Sequence, residues 1–258
     1  MFDLIIQNGT IVDGTGSPAY RADLGIRDGK IVSIAKKLNG ADRVIDASGL
    51  TVTPGFIDSH SHSDGQLLTR PDQYLKIEQG ITVSIAGQCG SSIVPLSPKE
   101  DRSQFPEIEG IGNPYDIRTD PDLFFKTVKD IRLGSGMALL IGHGAIRRAV
   151  MGTENRAPSE AELEEMKDLL RQYLDRGALG LSFGLAYIPG AYADTEECIA
   201  LAKVVGEYGR IVAAHIRDEG DHLVRAVKEF LTILREAKAR GVISHHKASV
   251  SEENWGKV

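Results

Sequence analysis

Four histidines and a cysteine in this chain each follow shortly on an apolar run. They are His60 and His62 in Ser59-His60-Ser61-His62, Cys89 in Gly87-Gln88-Cys89-Gly90-Ser91-Ser92, His215 after Ile211-Val212-Ala213-Ala214, and His245 after Val242-Ile243-Ser244. Imidazole nitrogen and thiolate sulfur are zinc donors, the nitrogens sitting about 2.0–2.1 Å from the ion. Residues two apart on a strand share a face and lie roughly 6.6 Å apart along it, so the rings of His60 and His62 can close on one ion. Taken singly, each residue also has a plainer reading. A His-X-His pair can be solvated or hydrogen-bonded, a lone histidine is more often structural, and a cysteine packs like a small hydrophobe. Cys198, inside an apparent helix from Thr195 to Tyr208, is read as packing. The glycines either side of Cys89 suit a loop where the backbone approaches a site closely. Donors at four separate strand ends are harder to dismiss, because in a β/α barrel those ends converge on one mouth.

The elements that must position these residues come in two rhythms. The first fifty residues read as short β-branched runs, Leu4-Ile5-Ile6, Thr10-Ile11-Val12, Ala22 to Ile26 and Lys30 to Ile34, punctuated by Asn8-Gly9, Asp13-Gly14 and Asp28-Gly29. Asx-Gly pairs are the strongest short hairpin signal. After Pro54-Gly55 the pattern becomes strand, loop, helix. Continuous apolar runs at Gly55–Asp58, Ile81–Ile85, Met137–Ile141, Ala178–Ser182, Ile211–Ala214 and Val242–Ile243 suit strands buried on both faces of a parallel sheet. Ser159 and Glu162 form a capping box ahead of the stripe Leu163, Met166, Leu170 and Leu174, and Gly177 ends that helix. A second helix is expected from near Asp221 to Arg240, with Val224, Val227, Leu231 and Leu234 inward and Gly241 after its end. Ser97 to Pro121, with four prolines, reads as a long loop. The six beats suit an α/β fold of the eight-stranded barrel type, although an open doubly wound sheet has the same local pattern. The division expected is residues 1–53 as the strands of a small β-sandwich unit and residues 54–258 as a partial barrel.

A net charge of −6 gives no electrostatic footprint for nucleic acid or an acidic membrane surface. Arg147-Arg148 is too short a basic run to change this, and it is read as a solvated loop or helix start. Two cysteines cannot form a disulfide framework and point to a reducing cytoplasm. Asp3 breaks the opening apolar run and no basic region precedes it, so no signal peptide is read. No apolar stretch approaches the ~20 residues of a membrane helix.

Certain words in the chain stand together: Gly55-Phe56-Ile57-Asp58-Ser59-His60-Ser61-His62, Gln88-Cys89-Gly90, Gly142-His143-Gly144, Leu185-Ala186-Tyr187-Ile188-Pro189, His215-Ile216-Arg217-Asp218-Glu219-Gly220 and Ser244-His245-His246-Lys247. In combination they resemble the D-aminoacylase, or N-acyl-D-amino-acid deacylase, branch of the amidohydrolase superfamily, over essentially the whole chain. The resemblance implies a metal-dependent hydrolase barrel. Cys89, His215 and His245 would hold one tight zinc, and His60 and His62 a second, weaker one. His245 is preferred to His246, whose side chain should point to the opposite side of a strand. Tyr187 and Lys247 resemble residues that hold the substrate carboxylate, against the plainer readings of packing on a proline turn and a solvated charge. Two positions depart from the pattern. Ser61 stands where threonine is more usual, and Val250 where a small residue, often glycine, tends to follow, which would crowd a turn needing positive φ.

The chemistry implied is zinc-dependent hydrolysis of the amide bond of an N-acyl-D-amino acid, with a carboxylate moving the proton to the leaving amine. In the family an aspartate at the end of the eighth strand has that role. The strand count here reaches six before the closing residues Trp255-Gly256-Lys257-Val258, and no residue matches that aspartate. It is expected beyond Val258. Asp64, Asp218 and Glu219 lie near the right mouth, but nothing promotes any of them. The expectation is a fragment, or a truncated product with weak or no deacylase activity, whose barrel is completed by a carboxy-terminal portion or another chain. Two alternatives stay open. A cyclic-amide hydrolase of the hydantoinase or dihydroorotase type would usually bridge its metals with a carbamylated lysine, but no lysine occurs between Gln79 and Val94. The other is a metal-binding remnant without catalysis.

Overall fold

The computed structural model describes residues 1–257, and Val258, the last residue of the expected partial barrel, lies outside the described residues. The chain forms two compact units, one ending at Phe56 and the other beginning at Ile57. The first is a mixed five-stranded sheet. Its central strand β1 (Phe2–Ile11) pairs antiparallel with β2 (Tyr20–Arg27), which pairs with β3 (Lys30–Ala35); on its other edge β1 pairs parallel with β4 (Ala41–Asp46) and β5 (Thr51–Val52). Asp28-Gly29 makes the expected two-residue hairpin, both residues at positive φ. Asn8-Gly9 does not break the chain into two strands. Asn8 takes φ 64° and the register shifts there, so the pair forms a bulge within β1. Ile11, Ala22 and Leu24 pack with Ile6 and Val52 as a small core.

The second unit is built on a six-stranded sheet in the order β6 (Phe56–Asp58), β7 (Ile81–Ala86), β8 (Gly136–Gly142), β9 (Gly180–Gly184), β10 (Ile211–His215) and β11 (Arg240–Ile243). The pairings from β7 to β11 are parallel. Spatial order follows chain order without reversal. A doubly wound sheet reverses at a switch point, so the winding is that of a barrel, of which six strands are present among the described residues. Helices fill the intervals: α1 (Tyr74–Ile77) before β7, then α2 (Pro114–Thr119), α3 (Pro121–Asp130), α4 (His143–Val150), α5 (Glu160–Asp175), α6 (Thr195–Glu207) and α7 (Leu223–Ala237). Leu140, Ile141, Leu181, Phe183, Val212 and Ala214 are buried in the sheet, against Met166, Leu170, Leu201, Val205, Phe230 and Ile233 from the helices. Each large apolar side chain so buried contributes about 1.5–3 kcal/mol. No helix among the described residues is long and apolar enough to cross a membrane.

Several local readings are corrected by this arrangement. The outer strands are not buried on both faces: Phe56 and Ile57 in β6 and Val242 in β11 are more than half exposed, because each strand stands at an end of the sheet. The α5 capping box forms, with Glu162 N donating to Ser159 Oγ at 3.3 Å and Ser159 N to Glu162 Oε2 at 2.7 Å. In α7 the inward stripe is Leu223, Ala226, Phe230 and Ile233, one residue earlier than expected, while Val224 and Leu231 face solvent. One residue is 100° on a helix, so the bulk of Phe230 selects between two neighbouring apolar stripes. Lys238 at φ 51° ends that helix, and Gly241 lies within β11. The stretch read as a loop holds α2. Asn113 and Asp120 cap α2 and α3, each followed by a proline in the first turn, a start signal that the proline count obscured.

Arg147 is also corrected, since it is fully buried in α4. Its guanidinium pairs with Glu197 of α6, whose other oxygen meets His143 Nε2 at 2.7 Å, and it donates to the Arg156 carbonyl at 2.9 Å. Burial works to raise the pKa of Glu197, but the hydrogen bonds and charges of His143 and Arg147 prevail and hold it below the ordinary glutamate value. The stability Glu197 contributes is therefore complete above its unfolded pKa of about 4.3 and is lost as pH falls through its lower folded value. Removing one partner strands a buried charge. Glu197→Ala should cost about 3–5 kcal/mol in urea unfolding at neutral pH, with a smaller difference in acid. A loss under about 1 kcal/mol would show that the network does not tie α4 to α6.

Candidate metal centre

The loop carrying His60 and His62 begins where β6 ends, so strand alternation is not what holds the two rings. Local hydrogen bonds do this instead. His60 N donates to Asp58 Oδ1 at 3.2 Å, Ser61 N to the Ile85 carbonyl at 3.0 Å, and Gln88 Nε2 to the Ser59 carbonyl at 3.1 Å. Lys76 closes an ion pair with Asp58 and donates to Ser61 Oγ. The ring centroids of His60 and His62 then stand 5.4 Å apart, edge to face.

Cys89 is placed by the ends of three neighbouring strands. Gly87, Cys89 and Gly90 all take positive φ, and Ser182 of β9 clamps the turn, accepting from Gly90 N at 3.0 Å and donating to the Gly87 carbonyl at 2.5 Å. A Cβ on Gly184 would lie 2.0 Å from the Cys89 carbonyl oxygen, so only glycine admits this loop against β9. His215 is the last residue of β10 and nearly buried, while His245 follows β11 at φ 35°.

These elements bring four side chains together. His245 Nε2 lies 3.0 Å from His215 Nδ1 and 3.4 Å from Cys89 Sγ, and Cys89 Sγ lies 3.5 Å from His60 Nε2. Donors on a tetrahedron with Zn–N about 2.0–2.1 Å and Zn–S about 2.3 Å are separated by roughly 3.3–3.6 Å. Each of the three pairs fits that spacing, and the soft-plus-borderline donor set fits zinc, although Cys89 and His215 do not fall in one ligand group. Two groups of possible ligands result, His60 with Cys89 and His245, and His215 with Glu219 and His245. The partition implied by the resemblance put His60 with His62 instead; in this structure His245 is common to both groups. His62 stands beside His60 and lines the same cavity, and His246 belongs to neither group.

Glu219 had no role assigned from the sequence. Its Oε1 accepts from His245 Nδ1 at 2.8 Å, its Oε2 lies 3.5 Å from His215 Nε2, and it pairs with Lys247. It thus engages the outer nitrogens of both histidines whose inner nitrogens meet. A proton held on His245 Nδ1 leaves the Nε2 lone pair for a metal. Because Lys247 already balances its charge, Glu219 serves better as an orienting partner than as a ligand. The signal in the sequence was its place four residues after His215. Asp64 instead accepts from Ile93 N, and Asp218 accepts from Gly220 N and His222 N, so both carboxylates secure loops. Among the described residues neither Asp64 nor Asp218 joins a candidate ligand group. Tyr187 is half-exposed, with its hydroxyl 3.2 Å from His215 Nδ1.

Burial and the neighbouring Glu219 push the Cys89 thiol up to about 11, against the opposing charge of Lys247. Burial, then the neighbouring His245 and His62, lower the pKa of His60. Burial also lowers that of His215, although Glu219 works the other way. The site without metal therefore presents neutral imidazoles at these two positions and a protonated thiol. A cation must displace the thiol proton to bind.

The amidohydrolase family model matches residues 43–258, and a model of the urease alpha-subunit N-terminal domain matches residues 1–55. N-acyl-D-aspartate deacylase of Alcaligenes xylosoxydans xylosoxydans is 41% identical over 265 residues, spanning 99% of this chain and 51% of that protein. The crystal structure of N-acyl-D-glutamate deacylase from Bordetella bronchiseptica, complexed with zinc and a phosphonate inhibitor, is 38% identical with a TM-score of 0.88, over 99% of this chain and 53% of that one. A D-aminoacylase structure concerned with its binuclear metal centre is 35% identical with a TM-score of 0.89, over 100% of this chain and 54% of that one. The chain spans about half the length of the relatives it matches.

Two outcomes follow for metal binding. Apparent zinc affinity should rise about tenfold per pH unit between about pH 7 and 9, as one thiol proton is displaced, and Cys89→Ser should flatten the slope. A wild-type affinity independent of pH would remove Cys89 from the ligand set. Glu219→Ala should weaken zinc about 10–100-fold by competition with a chelating dye, with Glu219→Gln between the two. Unchanged affinity in the alanine variant would deny the orienting role.

Proposed function

The chain belongs to the amidohydrolase family, in its D-aminoacylase and N-acyl-D-amino-acid deacylase branch, and we propose that its site serves zinc-dependent hydrolysis of the amide bond of N-acyl-D-amino acids. One observation carries this reading. Cys89 Sγ, His215 Nδ1, His245 Nε2 and His60 Nε2 converge where parallel strands end, beside a cavity of about 360 Å³. That volume suits a small ligand.

Cys89 and His245 would hold one zinc with His60, and His245 also faces His215, while His62 stands beside His60 toward a second ion. When bound, zinc supplies a Lewis acid that polarises a carbonyl and lowers the pKa of water to about 7. The chain's own groups do the remaining work. Glu219 keeps His245 Nε2 aimed inward. Gly90, Gly144, Gly184 and Gly190 line the cavity, so backbone rather than side chain meets the ligand there. Tyr187 offers a hydroxyl from the cavity wall, suited to a substrate carboxylate. Lys247 is engaged by Glu219 and has to leave that pair before it can take the same role. No carboxylate is among the residues lining this cavity, and proton transfer to the leaving amine is unassigned among the described residues.

The carboxylate-free lining of the cavity favours a second reading, metal binding without turnover, and one assay separates the two. The zinc-loaded chain is incubated with N-acetyl-D-amino acids and their L enantiomers, and acetate is measured. The deacylase reading expects acetate from at least one D substrate, none from its L enantiomer, and loss of activity in Cys89→Ala. Stoichiometric zinc with no acetate from any D substrate would favour the metal-binding reading.

A further inference from the structure

We propose that Arg148 makes an anion-binding subsite in the wall of the metal cavity and selects ligands that carry an acidic side chain. The sequence pairs Arg148 with Arg147, but α4 sends the two in different directions, since successive residues on a helix are 100° apart. Arg147 is fully buried and occupied by Glu197 and the Arg156 carbonyl. Arg148 is half-buried and lines the cavity together with Ser91, Gly144, Tyr187 and the candidate ligands His62 and Cys89. It has no hydrogen-bond or ion-pair partner among the described residues.

The rest of the cavity wall carries no carboxylate to balance that charge. Glu219 meets His245 at the nitrogen turned away from Cys89, does not line this cavity, and is already shared with Lys247. A guanidinium is charged at every relevant pH and presents a fork of donors matched to a carboxylate. Half-buried and unpaired, it has desolvation already met in part, and it gains most from a ligand that brings its own negative charge. A neutral side chain placed there would leave it unpaired. This assignment rests on the deacylase reading for the ligand's common part, an N-acyl-D-amino acid whose amide faces the metal donors. It adds that the side chain bears a carboxylate, as in N-acyl-D-aspartate or N-acyl-D-glutamate.

The test is calorimetric titration of the zinc-loaded chain with N-acetyl-D-glutamate, N-acetyl-D-aspartate and N-acetyl-D-leucine, alongside Arg148→Ala and Arg148→Lys. A charge-assisted pair of this kind corresponds to a preference of roughly tenfold or more. Wild type should prefer an acidic ligand over the leucine one by that factor. The preference should collapse in Arg148→Ala and survive in reduced form in Arg148→Lys, with zinc content at the wild-type level reporting that both variants fold. Equal affinity for acidic and neutral ligands in wild type, a preference that persists in Arg148→Ala, or no binding of the acidic ligands overturns the assignment. Acetate release is followed in the same samples. Selective acidic binding without acetate contradicts the deacylase reading and leaves the subsite standing. Acetate release without acidic preference does the reverse.

Discussion

The candidate site depends on one small convergence, His245 Nε2 lying within 3.4 Å of both Cys89 Sγ and His215 Nδ1. Three chain segments far apart in sequence must agree for that to happen. Parallel pairing of β10 with β11 sets His215 and His245 side by side, and the turn after β7 carries Cys89 in toward them. The turn is held by Ser182, and the close approach of its backbone to β9 requires a glycine at position 184. The placement of these candidate donors is thus a consequence of sheet register, and a change in register would scatter them.

A second layer keeps the donors usable. Protonated cysteine and freely rotating histidines do not make a zinc site. Glu219 fixes the outward nitrogen of His245, and burial keeps His60 and His215 neutral. Further back, Glu197 joins His143 and Arg147 in a buried network that ties α4 to α6. Since α4 also carries Gly144 and Arg148 into the cavity wall, that network holds part of the site's outline as well as the fold.

Much of this was legible in the residues. The six strands of the second unit fall on apolar runs because sheet interiors demand them, and the α5 capping box is a purely local signal. Cys89, His215 and His245 stood out as donors just past strand ends, although sequence spacing could not say which atoms would meet. Winding was not legible, because a barrel and a doubly wound sheet share their local pattern; the strand order distinguishes them. Glu219 and Arg148 were hidden for a related reason. A carboxylate in a polar turn and one of two adjacent arginines look solvated until the sheet brings partners to the first and a cavity to the second. The α7 stripe was displaced by one residue because two apolar faces compete there and packing volume decides. Val250, at φ 77°, holds a β-branched side chain in the left-handed region, as its departure from the family pattern had suggested.

The central claim is that Cys89 sulfur and histidine nitrogen share one metal ion at this mouth. X-ray absorption at the zinc edge of the chain loaded with one equivalent of zinc tests it most directly. The account predicts a single sulfur at about 2.3 Å beside nitrogens at about 2.0–2.1 Å, with the sulfur shell lost in Cys89→Ser. A shell of nitrogen and oxygen alone in the wild-type protein would contradict it.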